Sequence, residues 1–141
     1  MLPNSHIQNL KSQTFRKSER LCSEKIIANL FDRKNPANQS AFAYPFKVTY
    51  RVSDSLSTSQ VLFSISKRGF KHAVDRNLIR RRSRESYRLN KAILGSTKAH
   101  IAFVYIGKII EPYEVIEKGM KKILSELNKR NLSGGTNLHT V

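Results

Sequence analysis

Arg76, Arg80, Arg84 and Arg88 recur at steps of four, and on a helix that spacing aligns them along one slowly drifting stripe, about 6 Å apart per step. They belong to the stretch from Lys67 to Lys91, which holds ten Lys or Arg against two acids, Asp75 and Glu85. Half of the chain's net charge of +16 therefore falls within that one segment. Like charges at this spacing repel and weaken an isolated helix, so the pattern makes physical sense with a polyanion lying across it. A solvated helix face normally pairs Glu with Lys or Arg one turn away, and here acids are nearly absent from those positions. Arginine suits the task because its planar fork grips two phosphate oxygens, or a base edge, at once.

Other chemistry has little to stand on. His6, His72, His100 and His139 are scattered and have no zinc-type spacing. Cys22 is the single cysteine and has no histidine near it in sequence, so a packed thiol is expected rather than a nucleophile. Glu111, Glu114 and Glu117 form the one acid cluster, and their place in the first turn of a predicted helix makes them dipole partners rather than metal ligands. No glycine-rich phosphate loop is present. Arg68-Gly69-Phe70 opens like the stacking motif of RNA-recognition sheets, but the continuation Lys71-His72-Ala73-Val74-Asp75 departs from it at once. Phe42, Tyr44, Phe46 and Tyr50 could stack on single-stranded bases, although aromatics at strand spacing are by default core.

A chain of 141 residues, 39% apolar, fits one compact domain. No apolar run approaches the roughly 20 residues of a membrane span. The opening stretch MLPNSHIQNLKSQTF lacks a continuous apolar core, so no secretory signal is expected. With one cysteine and no internal disulfide to make, a reducing, cytoplasmic setting is expected, with no membrane partner.

These residues must be held by a scaffold, and the chain supplies one. Residues 1–14 are polar and aperiodic, read as a flexible arm preceding a single domain over residues 15–130. Ser23 is a candidate N-cap for an amphipathic helix over 23–33, with Ile26, Ile27, Leu30 and Phe31 at helical spacing. Asn35–Ala41 has turn chemistry and reads as a loop. Phe46, Val48, Tyr50 and Val52 alternate with Lys47, Thr49 and Arg51, the pattern of a half-buried strand, and Pro45 limits the start of that segment to an edge or bulge. Ser53–Ser59 is a polar connector of hairpin-compatible length, and Val61–Ser66 a second strand. The basic helix follows Gly69, with Ala73, Val74, Leu78, Ile79 and Tyr87 able to face a sheet, and should stop near Gly95. His100–Ile106 is β-branched and aromatic, a buried strand. Pro112 opens a last helix, with apolar residues at steps of three and four from Tyr113 to Leu127. Residues 131–141 are expected to be a disordered tail.

The basic stretch also carries a resemblance. Ser64-Ile65-Ser66-Lys67-Arg68, Ala73-Val74-Asp75-Arg76-Asn77-Leu78-Ile79-Arg80-Arg81, Arg84-Glu85 and Tyr87-Arg88 resemble the signature of the protein subunit of bacterial ribonuclease P, Ala-Val-x-Arg-Asn-Arg-Ile-Lys-Arg followed by Arg-Glu. Arg20-Leu21 and the helix ending Leu30-Phe31 are similar to that family's first helix, so the likeness covers about residues 15 to 128. Leu78 stands where the family usually has Arg, and Arg82-Ser83 where it usually has two apolar residues. Those departures leave open which side of the helix is buried.

The resemblance implies an α+β fold of order αβββαβα, a sandwich-like domain with a central, mostly antiparallel sheet, packed helices and a left-handed βαβ crossover (ribosomal protein S5 domain 2-like). That order fits if the chain breaks near Pro45 into two strands. The sequence pattern alone would suggest the ordinary right-handed crossover. It further implies that an RNA subunit with bound Mg2+ removes the 5′ leader from precursor tRNA, while the protein, a monomer in a 1:1 complex, binds the RNA and the leader and lowers the magnesium requirement. By match to the motif, Arg76, Asn77, Arg80, Arg81, Arg84 and Arg88 contact the catalytic RNA, with Lys67, Arg68 and Lys71 extending the patch. A cleft between the first helix and the sheet is expected to hold the leader, with Lys17, Phe31, Phe46 and Lys47 lining it. No catalytic or metal-binding residue is expected in the protein. A general or ribosomal RNA-binding protein with no role in cleavage is the alternative.

Overall fold

Four strands, β1 (Gln39–Ala43), β2 (Phe46–Val52), β3 (Gln60–Ile65) and β4 (Ala99–Tyr105), form one sheet that carries the helices α1 (Glu24–Leu30), α2 (Ala73–Asn90) and α3 (Tyr113–Thr140). The computed structural model describes residues 15–140, and the side chains of residues 15–131; the expected arm, residues 1–14, lies outside them. The sheet order is β1-β2-β4-β3, with β1-β2 and β2-β4 antiparallel and β3-β4 parallel. It is thus an α+β domain with a mixed, mostly antiparallel sheet and a βαβ unit running from β3 through α2 to β4.

Period-two alternation sorts the strands into two faces. Phe46, Val48 and Tyr50 enter the main core with Phe63, Ile65, Ile101, Phe103 and Tyr105, beneath α2 and α3. The opposite face packs Ala102 and Leu62 under Leu21, Ile26, Ile27 and Leu30, so α1 covers part of it. The expected break at Pro45 is present: β1 and β2 flank a turn at Tyr44-Pro45, whose peptide bond is cis.

Several elements depart from expectation. The stretch Asn35–Ala41 is not all loop, because Gln39, Ser40 and Ala41 pair with Tyr50, Thr49 and Val48; a partner strand supplies the regularity that their composition lacks. Ser53–Ser59 makes no hairpin, since β4 lies between β2 and β3. Ser23 caps α1 as predicted, its Oγ accepting from the Ile26 N–H, but the helix ends at Leu30. There the Asn38 amide donates to the carbonyls of Asn29 and Leu30, taking up acceptors that the helix leaves free.

Ala73 and Val74 do not face the sheet: both are exposed, Val74 by 77%. The buried side of α2 is Ile79, Ser83, Ser86 and Tyr87. Both serine hydroxyls bond carbonyls of their own helix, Ile79 and Ser83 respectively, so burial leaves neither unsatisfied. Gly95, at φ +60°, ends the 3-10 turn Lys91–Leu94 that follows. In α3, Ile116, Met120, Ile123, Leu124 and Leu127 are buried. Gly119 lets α3 cross the β1-β2 turn, where a Cβ would stand 2.4 Å from the Tyr44 carbonyl oxygen. The α3 backbone stays helical to Thr140, through residues expected to be a disordered tail; with no proline after Pro112, nothing there removes a backbone donor.

Candidate nucleic-acid interface

Helical geometry rotates a stripe at steps of four by about 40° per step. The stripe therefore winds along the edge of the buried side, and all four of its arginines are half-buried. Arg76 donates through Nη1 to the carbonyls of Phe70 (2.7 Å) and Lys71 (3.0 Å), closing the turn before α2. Phe70 is buried against Tyr105, and the Ser66 hydroxyl accepts from the N–H groups of Arg68 and Gly69. That turn leaves Lys67, Arg68 and Lys71 exposed beside the positive end of the helix.

Farther along, Arg80 donates to Asn77 Oδ1 at 3.0 Å, and Arg81 is exposed. Arg88 ends the stripe in an ion pair with Glu85, the one acid of the stretch within reach. Arg82 turns the other way, donating to the Glu111 carbonyl at 2.6 Å, while Asn90 reaches Glu117 at 3.1 Å. Both bonds tie α2 to α3 and its leading loop, so the free guanidinium groups lie on the other flank.

On that flank lies the segment Phe15 to Leu21, which extends the β3 edge through the Leu21 N–H to Val61 carbonyl bond. The Phe15 ring packs edge-on against Tyr87, with the guanidinium groups of Arg20 and Arg84 each 5.8 Å from its centroid. Burial, then the nearby charges of Arg20 and Arg80, lower the Arg84 pKa, and its Nε is buried without a hydrogen-bond partner. Arginine stays charged throughout, so this is a crowded cationic site with no carboxylate on Arg80, Arg81 or Arg84 among the described residues. Glu19, nearby in sequence, is spent on Lys91 at 2.7 Å. Spacing alone does not bring Phe15 and Arg20 to this flank; the Arg20-Leu21 pair is the available sequence signal.

The second surface lies on the α1 side of the sheet. Register places Phe42, Lys47, Val104 and Ser64 in one row across it. Between this row and the end of α1 is a cleft of about 520 Å³, lined by Phe31, Arg33, Asn38, Lys47 and Val104 among others. Two of the four residues expected there, Phe31 and Lys47, do line it. Phe46 does not: it is 1% exposed and packs against Phe103 and Tyr105 on the opposite face, as its one-residue offset from Lys47 requires. Lys17 is exposed in the 3-10 turn Lys17–Glu19 along β3, away from the cleft lining. The strand aromatics divide accordingly, Phe46 and Tyr50 to the core, Phe42 (67% exposed) and Tyr44 (47%) to the surface.

Among the described residues no three His, Cys, Asp or Glu side chains come together, and no helix is long and apolar enough to cross a membrane. A cationic helix flank and a basic, aromatic-rimmed cleft on a small α+β scaffold together define a polyanion-binding domain. A family model described as Ribonuclease P matches residues 15–128. The ribonuclease P protein component of Porphyromonas gingivalis is 33% identical over 116 residues, covering 77% of this chain and 82% of that protein. That of Chlorobium phaeobacteroides is 30% identical over 145 residues, covering 90% and 97%. The RNase P proteins of Staphylococcus aureus and Thermotoga maritima share the fold, each with a TM-score of 0.64 at 18% identity, covering 77% of this chain and 94% and 96% of theirs. The chain belongs to the ribonuclease P protein family, and is thereby a protein component of a tRNA-processing ribonucleoprotein with an RNA partner.

Proposed function

We propose that this chain binds the catalytic RNA of ribonuclease P through the exposed flank of α2 and the 5′ leader of precursor tRNA through the Lys47 cleft, while the RNA performs the hydrolysis. The observation that carries the reading is the group Arg80, Arg81 and Arg84, which has no carboxylate partner among the described residues and continues into Lys67, Arg68 and Lys71. An anion laid along this flank relieves the mutual repulsion of the guanidinium groups, and phosphate oxygens match their forked donors. The cleft is suited to single-stranded RNA, with Lys47 and Arg33 for phosphates and the half-exposed Phe31 ring for a base.

In this reading the magnesium belongs to the RNA, and the RNA carries the chemistry. What the protein supplies is fixed positive charge. By screening the repulsion between two RNAs it lowers the magnesium needed to dock them. A monomer in a 1:1 complex with the RNA, working in the cytoplasm, completes the proposal.

The test is cleavage of precursor tRNA at low magnesium by the cognate catalytic RNA, with and without the protein. Restoration of cleavage at the mature 5′ end by the protein, with none from protein alone, supports the assignment. Binding to both RNAs with no change in rate or magnesium requirement would reduce the chain to a basic RNA-binding module. Cleavage by the purified protein alone would overturn the division of labour.

A further inference from the structure

Past the open edge of the sheet, where β1 has no strand neighbour, lies a groove of about 770 Å³ between β1 and α3. Its rim carries Lys121, Lys122, Lys129 and Arg130 from α3, and Phe42 and Tyr44 from the β1-β2 hairpin. Glu126, the acid within it, is bonded to Arg130 at 2.9 Å, and Lys121 stands 4.0 Å from Glu117. Lys122 and Lys129 have no carboxylate partner among the described residues. The Tyr44 hydroxyl donates to the Glu111 carboxylate, which anchors the ring while about half of the residue stays exposed.

This groove and the Lys47 cleft meet along β1: Gln39 and Ser40 line the cleft, and Ala41 to Tyr44 line the groove. Phe42 joins them, since it is the cross-strand partner of Lys47 and also borders the groove. The geometry points to a continuous track: single-stranded RNA leaving the Lys47 cleft crosses the sheet edge at Phe42 and runs on between β1 and α3, so that the distal part of the leader binds this groove. The inference rests on the leader occupying the cleft. Exposed rings need bases free of a duplex to stack on, which favours a single strand over a helix of RNA. A protein strand adding to β1 is disfavoured because Arg130 of α3 already donates to the Ser40 carbonyl at that edge.

The experiment compares equilibrium affinities of the assembled ribonucleoprotein for two precursor tRNAs, one whose leader ends within the cleft and one about eight nucleotides longer. The longer leader should bind roughly tenfold more tightly at low salt, and the double variant Lys122→Ala, Lys129→Ala should bring that ratio down toward one. Phe42→Ala should reduce the ratio as well. A ratio unaltered in the double variant removes the groove from the leader path, as does an equal weakening toward both substrates. Lys47→Ala reports separately on the cleft: if it leaves the affinity for the short leader unchanged, the cleft assignment itself fails, and with it the basis of the track. All of these side chains are exposed, and a thermal melt of each variant checks that the fold is intact.

Discussion

Arg80 illustrates how two residues of one type, one turn apart, come to differ in role. Arg76 closes the turn before α2, whereas Arg80 donates to the neutral amide of Asn77 and has no carboxylate partner among the described residues. Arg80→Ala should therefore flatten the slope of log K for RNA against log salt by about one, with little loss of stability. An unchanged slope would mean that Arg80 does not touch RNA. Arg76→Ala should instead lower the unfolding midpoint, because it leaves two carbonyls of the turn without their donor.

His100, on the α1 face of the sheet, has its pKa lowered from 6.5 by burial and then by the Arg51 charge. Below 6.5 the unfolded chain takes up a proton that the folded site resists. Stability should accordingly fall as the pH drops through 6.5, and be free of this contribution above it. In denaturant melts at about pH 8 and about pH 6, His100→Gln should narrow the gap between the two midpoints. A gap of the same size would assign the pH dependence to other groups.

At the scale of elements, α1 is short, and its position over the sheet depends on Asn38. The Asn38 amide donates to the end of α1, and its carbonyl accepts from Arg51 of β2 at 2.9 and 3.2 Å. Asn38→Ala should cost about 1 to 3 kcal/mol in denaturant unfolding, and should weaken leader binding more than binding of the catalytic RNA, since it loosens the wall of the cleft and not α2. Gly119 sets the contact between α3 and the hairpin turn. Alanine is worth about 1 kcal/mol over glycine within a helix, yet here its methyl would press on the Tyr44 carbonyl and on Pro45 Cδ at 2.9 Å. Overpacking of that kind costs about 1 to 3 kcal/mol, and backbone cannot swing aside as a side chain can. Gly119→Ala should lower the thermal midpoint; a rise would show that α3 slides freely over the turn.

Across the whole molecule the charge is divided among surfaces. The α2 flank and the Phe15–Leu21 segment lie toward the β3 edge, the cleft lies on the α1 face, and the β1-α3 groove lies at the opposite edge. A domain cationic on several sides could hold two RNAs together, which is what the proposed positioning role requires. RNA binding by the full chain should fall linearly in log-log form with salt, and more steeply than a single α2 stripe would give, because each neutralised phosphate releases counterion.

Much of this was legible in the sequence because it depends on local spacing. The cationic run, the alternation of Phe46, Val48 and Tyr50, the Ser23 cap and the apolar period of α3 are short-range patterns with a direct physical reading. The matched motif supplied the family and the break at Pro45. Other features came only with the tertiary structure, since they depend on which strand lies beside which. Alternation defines two faces for β2 but not which of them the larger helices cover, so Phe46 was expected in the cleft and is in the core. Gln39 to Ala41 have no strand signature of their own and gain one from β2, while β4 comes between β2 and β3 and removes the expected hairpin. The buried side of α2, open while Leu78, Arg82 and Ser83 were only letters, was decided by two serines small enough and self-bonded enough to be buried. The sequence determined how much positive charge this protein carries and on which elements; packing decided which of those cations are free to meet RNA, because a neighbouring carbonyl or carboxylate is a fact of three dimensions.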